Sequence, residues 1–351
     1  MKNKSLLKYL PISIFRNIIS EKINQENSKI QLNNFIGSSK SVLASSIIKK
    51  SKSPQLFILN DKESASYFIN DLENLINHEI FFYPASYRRS YQIEDTDNSN
   101  VLLRAEVLNK LNNKRNSIII SYPEAVSEKV ISRRVLKKKT IVLSVSDILH
   151  PNLLEEILIE NNFIQSDFVT DPGQFSIRGG IIDVFSYADE HPFRIEFFDD
   201  EIESIRTFNI NTQLSLEKKE KISIIPNTDA KKISEKKVNF LDYLPRNTTI
   251  WFEDTHHALG IIKQNFEKTK KEFKKSSFKS EKYQINPNEI FSKADEFTHQ
   301  LEKFKSVNFG SNNIFESDFE IQSNIEPLTP INKKFDILFN ELIKFQKNRY
   351  L

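Results

Sequence analysis

The sequence of 351 residues has no cysteine, one methionine, one tryptophan and only six glycines. Without cysteine there are no disulfides and no thiolate metal sites, and the six histidines are scattered, His256-His257 being the one close pair, so no metal-ligand spacing arises. Long hydrophobic runs are missing too. No window reaches the ~18 uninterrupted apolar residues of a membrane span, and the opening MKNKSLLKYLPISIF meets Pro11 before a signal-peptide core develops. The expected setting is cytoplasmic, with no membrane partner. Nor is there a strong charge of either sign: 50 Lys plus Arg against 47 Asp plus Glu leave +3, too little to identify a nucleic-acid partner in a chain rich in Lys, Asn and Ile. A 38% hydrophobic and 28% charged composition suffices for two or three globular domains with real cores.

The shortage of glycine bears on one stretch directly. Residues 32–50, LNNFIGSSKSVLASSIIKK, read as an apolar strand, a Gly/Ser turn and a helix, the layout of a phosphate-binding loop. Counted back from Lys40, the pattern G-x-x-x-x-G-K-[ST] needs glycines where Asn34 and Ser39 stand, and those glycines let backbone amides wrap a phosphate. Gly37, Lys40 and Ser41 remain, the last two in the places of the phosphate lysine and the magnesium hydroxyl. The alternative is an ordinary helix N-terminus capped by Ser38 or Ser39. Ahead of this stretch, Ile14, Phe15, Ile18 and Ile19 have helical spacing. Behind it, strands at 55–60, 80–83 and 117–121 alternate with helices at 63–76 and 101–111, which is βαβ rhythm.

The densest pattern of strands and turns is Asp171 to Phe208, DPGQFSIRGGIIDVFSYADEHPFRIEFFDDEIESIRTF. Phe175 and Ile177 alternate with Gln174, Ser176 and Arg178. Gly179-Gly180 supplies the positive φ angles of a reversal, and residues 181–185 return. In the next strand Phe193, Ile195 and Phe197 take one face, Arg194, Glu196 and Phe198 the other. Asp199-Asp200 turns the chain into a strand whose broken alternation suggests a bulge. The result is an antiparallel meander with an apolar face that the helix predicted at 147–161, through Leu153, Leu154, Ile157 and Leu158, can cover. Its other face joins Arg178, Arg194 and Phe198. Arginine and aromatic residues together mark interfaces, and the bland alternative is solvated surface with one incidental Phe.

The motifs PGQF-x-x-RGGI-x-D-x-F, PFRIEFF and DDEIESIRTF closely resemble the signature of the UvrB-homology module of the bacterial transcription-repair coupling factors, the Mfd family. The resemblance implies an α/β fold: a degenerate helicase-like (P-loop type, RecA-like) parallel-sheet domain with an inserted small α+β domain containing the meander. It implies that the insert docks UvrA, the damage-recognition protein of nucleotide excision repair, through Arg178, Arg194 and Phe198. It also implies that the tyrosine-rich DNA-clamping hairpin of UvrB is absent, residues 82–98 being too short and too polar for it.

Residues 249–254, an apolar strand followed by Glu253 and Asp254, resemble the magnesium box of helicases. By comparison with UvrB, Glu253 stands for the metal-holding Asp and Asp254 for the water-activating Glu, an exchange that displaces each carboxylate by about a methylene. With Asn34 and Ser39 at the glycine positions, no cofactor is expected in this chain. The expected units are 1–128 and 223–325, the two parts of the UvrB-like domain, 129–222, the insert, and 326–351, the start of a following domain. The chain then reads as the N-terminal part of a longer protein whose ATP- and magnesium-dependent motor and RNA-polymerase-binding domain lie downstream, and as a non-enzyme by itself. The alternative is a UvrB-like ATPase that loads on damaged DNA. Without the hairpin, duplex DNA binding by the isolated chain is expected to be weak and salt-dependent, and the basic run Arg133, Arg134, Lys137, Lys138 and Lys139 reads as a solvated face, the alternative being a DNA patch.

Overall fold

The computed structural model describes residues 12–23, 25, 27–86, 98–113, 116–227, 237–276, 286–310, 313–325 and 335–347. Most of the segment 82–98, where a DNA-clamping hairpin was looked for, lies outside the described residues.

The parent domain is built on seven parallel strands: Lys29–Asn33 (β1), Gln55–Ile58 (β2), Ile80–Phe82 (β3), Ile118–Ser121 (β4) and, after the insert, three more. The insert itself carries Ile141–Ser144 (β5), Ile164–Gln165 (β6), Gln174–Arg178 (β7), Ile181–Val184 (β8), Phe193–Phe198 (β9), Glu201–Phe208 (β10), Ser215–Lys218 (β11) and Lys221–Ile224 (β12). Thr249–Phe252 (β13), Lys305–Asn308 (β14) and Phe319–Gln322 (β15) complete the parallel sheet, in the order β15-β1-β14-β13-β2-β4-β3. Strands from before and after the insert thus interleave: β13 lies between β14 and β2, with Thr249 opposite Gln55 and Phe252 opposite Ile58. The buried runs QLFI, IIIS and TIWF are apolar on both faces because helices cover both, as a parallel sheet requires. At the centre Trp251 stacks on Phe57 at 5.3 Å, and its indole N–H donates to Gln55 Oε1 at 2.8 Å.

Helix Ile12–Ile23 (α1) packs Ile19 and, edge-on, Phe15 against Phe35. Helices Ser39–Ile48 (α2), Lys62–Leu75 (α3) and Asn98–Asn112 (α4) follow the first three strands, and Pro123–Ser127 (α5) and Arg133–Lys139 (α6) follow β4. Residues 287–301 form two short helices, Pro287–Ile290 and Ala294–Leu301, because Phe291 bridges to Glu128 and Ser292 N–H bonds Ser127 O between them. No helix of the described residues is long and apolar enough to cross a membrane.

The insert is a six-stranded sheet in the order β11-β10-β9-β8-β7-β6, with β5 and β12 paired beside it. Phe175, Ile182, Val184, Phe193, Ile195 and Phe197 form its core with Leu154 and Leu158 of the helix Pro151–Glu160 (α7). That helix starts later than the apolar spacing suggests and leaves Leu153 exposed, since residues 146–149 pair with the β9–β10 hairpin instead: Ser146 N–H bonds Ile202 O, and Leu149 N–H bonds Asp200 O. At the first reversal only Gly179 has positive φ, +59°. Gly180 is required for another reason: a Cβ there would lie 2.9 Å from Phe197 O. The bulge in β10 is present between Ile202 and Ser204.

Candidate functional site

The solvent-side face of the insert is set by register. Ser176, Asp183, Arg194 and Arg206 form one cross-strand row, Arg178, Ile181, Glu196 and Ser204 the next, and Phe198, Glu201 and Ile148 a third. Alternation therefore brings Arg178, Arg194 and Phe198 onto one face, Arg178 and Phe198 on the order of 12 Å apart for two strand spacings across and two residues along.

Their environments differ. Phe198 is 70% exposed, flanked by Ile148 at 84%. Arg178 keeps 37% of its side chain in solvent, its guanidinium over the exposed ring of Phe168 at 5.3 Å and one nitrogen on Asp183 Oδ2. Arg194 is nearly enclosed, 13% exposed. Its Nε and Nη2 donate to Asp183 Oδ1 and Oδ2 at 2.7 and 2.8 Å, Nη2 also reaches Gln213 Oε1 at 3.1 Å, and the plane lies 4.3 Å from the Phe208 ring. This hydrogen-bonded carboxylate holds the Arg194 guanidinium above its ordinary pKa. A second pair sits alongside: Arg206 embraces Glu196, which also accepts from Ser204 Oγ at 2.6 Å, and these bonds pull the Glu196 carboxyl below its ordinary pKa. Arg194 thus does not stand clear of the packed structure. It is the bidentate partner of a buried acid, stacked over a small cluster of Val169, Phe185 and Phe208. Ile148 and Phe168 were not read as part of this face, because neither belongs to the meander strands and only the fold lays them beside it.

The other candidate region lies at the carboxyl ends of β1, β2 and β13, where open α/β sheets bind ligands. Asn34 adopts φ +64° and Gly37 φ +53°, so the loop keeps a left-handed turn with Asn in a glycine place. Lys40 Nζ lies 2.6 Å from Glu253 Oε1, and Glu253 Oε2 accepts the Asn60 N–H at 3.1 Å. Ser41 is buried, its Oγ 2.7 Å from Asp71 Oδ2 and 2.8 Å from Ser38 O. Asp254 Oδ1 accepts the His257 N–H at 2.8 Å at the start of the helix Thr255–Ser276 (α8). The two residues named for phosphate and metal, Lys40 and Glu253, are bonded to each other. The capping expected of Ser38 or Ser39 is absent: Ser38 makes no side-chain cap, and Ser39 Oγ donates to Ile36 O at 2.7 Å. The basic run at 133–139 divides likewise. Arg133 is docked, donating to Leu111 O at 3.0 Å and lying over the Tyr243 ring, while Lys137 and Lys138 are exposed.

Residues 141–229 match the family model of the UvrB interaction domain. The chain is similar to the transcription-repair-coupling factors. It is 32% identical over 191 residues to that of Bacillus subtilis (strain 168), covering 54% of this chain and 16% of that protein. Identity is 32% over 207 residues to the factor of Rickettsia bellii (58% and 18%) and 23% over 195 residues to that of Escherichia coli K12 (56% and 17%). The chain therefore spans less than a fifth of the length of these relatives. The matched segment is the six-stranded sheet with its exposed row, and it lies within a helicase-like α/β fold.

Proposed function

We propose that the inserted domain is a docking module for UvrA, and that the chain is the part of a transcription-repair-coupling factor that recruits nucleotide excision repair. The observation that carries this reading is the exposed trio Arg178, Phe198 and Ile148 on the face of the sheet that matches the UvrB interaction domain. A phenyl ring and an isoleucine left in water on a face that also carries a guanidinium contribute nothing to the core, whereas on a partner surface each desolvates a large area with few rotamers to freeze. The link to stalled RNA polymerase and to motor action on duplex DNA belongs, on this reading, to segments outside this chain. The chain itself is not an ATPase: Lys40 and Glu253 neutralise one another where a nucleotide phosphate and its metal would otherwise recruit them.

Calorimetric titration of UvrA tests the reading. Phe198→Ala and Arg178→Ala should each weaken binding by on the order of 2 kcal/mol, about thirtyfold, and UvrB should compete with the wild-type chain for UvrA. Unchanged affinity in both variants overturns the docking assignment.

A further inference from the structure

Residues 263–275 of α8 carry six lysines, at 263, 268, 270, 271, 274 and 275, against Glu267 and Glu272. That excess of four positive charges within thirteen residues exceeds the +3 of the whole chain, so the remainder is slightly acidic. All six lysines are exposed. Lys263, Lys270 and Lys274, spaced by seven and four residues, share one stripe of the helix. Together with Lys293 on the facing segment they rim two adjoining hollows of about 250 and 320 Å³ over Phe266 and Phe273. The acids at this rim are Glu267, 4.0 Å from Lys270, and Asp295; Glu272 is taken up by Lys275 at 2.8 Å.

Like charges at four-residue spacing, Lys270 with Lys274 and Lys271 with Lys275, repel and weaken the helix that bears them. A polyanion relieves that repulsion. We propose that this ridge binds duplex DNA through its phosphate backbone. From Lys263 to Lys275 the helix runs about 18 Å, the length of roughly five base pairs at ~3.4 Å each. A straight row of exposed ammonium groups fits a continuous phosphate rail. Base stacking is not favoured, because Phe266 is buried and Phe273 half-buried, leaving no exposed ring as a platform. An acidic peptide is less well matched, since its carboxylates are not held at the fixed, dense spacing of a duplex phosphate backbone. The surface is on the parent domain, so the inference is independent of the UvrA reading.

The test is fluorescence anisotropy of a labelled duplex of about 20 base pairs with the full chain, across a salt series. Four phosphate contacts give a log–log slope near −3.6, and the variant Lys263→Gln/Lys270→Gln/Lys274→Gln should flatten it by about 2.7 and weaken low-salt binding tenfold or more. Lys137→Gln/Lys138→Gln, on another exposed lysine cluster, should change neither the slope beyond error nor the tenfold figure. Lysine-acetylation footprinting of the wild-type chain should show Lys263, Lys270 and Lys274 protected by duplex, a readout that does not depend on how well the variant folds. No duplex binding at low salt, an unaltered slope in the triple variant, no protection, or displacement by polyglutamate as effective as by unlabelled duplex would each overturn the proposal, the last in favour of an acidic protein partner.

Discussion

Replacing Arg194 by alanine separates folding from docking. The guanidinium is the two-pronged partner of Asp183, whose side chain is only 2% exposed. Removal leaves that carboxylate with the single contact from Arg178. Breaking a buried ion pair from one side costs about 3–5 kcal/mol. The surviving Arg178 contact and the residual exposure of Arg194 lower this, while loss of the Phe208 stack and the Gln213 bond acts the other way, and we expect about 2–3 kcal/mol. The assay is amide hydrogen exchange. In residues 181–198, whose backbone bonds hold the row in register, protection should fall roughly 30- to 140-fold. Fluorescence of Trp251, buried in the parallel sheet, reports separately on the parent domain. Arg194→Lys should recover little, because an ammonium cannot reproduce the fork that meets both oxygens of Asp183. Any drop in UvrA affinity for Arg194→Ala then includes a folding component, unlike that for Phe198→Ala. Unchanged exchange over 181–198 in Arg194→Ala would refute the reasoning and return Arg194 to the role of a free contact residue.

Three further outcomes follow from the same contacts. Phe198→Ala should change stability by no more than about 0.5 kcal/mol, as expected of an exposed side chain, measured by urea denaturation. A larger loss would mean the ring packs in the native state. Calorimetry with ATP and magnesium should show no heat of binding, whereas a low-micromolar dissociation constant, about −8 kcal/mol, would contradict the closed pair; Glu253→Ala should cost about 1–2 kcal/mol of stability through the Lys40 and Asn60 bonds. The Glu196 carboxyl is held below its ordinary pKa chiefly by Arg206 and then Ser204. Its stabilising contribution is complete above the unfolded-state value and disappears as pH falls through the lower folded-state value, so Glu196→Gln should flatten the acid limb of the stability profile below about pH 4.5. A profile identical to wild type there would remove the pair from the account.

What was legible in the sequence was what local alternation carries. The runs at 55–58, 118–121 and 249–252 announce a buried parallel sheet because helices on both faces demand apolar residues throughout. The faces of β9 follow from period two, so Phe198 and Arg194 were correctly placed together. Strands β11 and β15 were not legible. SLEK is exposed at all four positions and is held by backbone bonds at a sheet edge, and FEIQ buries only Ile321. Pairing across the sheet was equally hidden. Asp183 reads as a polar residue in an apolar strand until the register sets it between Ser176 and Arg194, and Lys40 and Glu253, 213 residues apart, meet only because β1 and β13 are brought to one end of the sheet.

Register is also what distinguishes the two candidate regions, which by residue type look alike. In each, cations and acids cluster near tight turns. At the carboxyl ends of the parallel strands every such group has an internal partner: Lys40 with Glu253, Ser41 with Asp71, Asp254 with the first turn of α8. An incoming triphosphate must first break a 2.6 Å ion pair without the two loop glycines whose amides would compensate, and its binding energy is reduced by that amount. On the insert the charges are likewise matched, Arg194 with Asp183 and Arg206 with Glu196, yet the apolar side chains beside them are not. Phe168, Phe198 and Ile148 stay in water at 60, 70 and 84% exposure, and burying three such side chains on a partner yields about 1.5–3 kcal/mol each when complete. On this face of the insert the unrealised free energy lies in those three side chains, which is why Phe198→Ala, harmless to the fold, is expected to weaken UvrA docking.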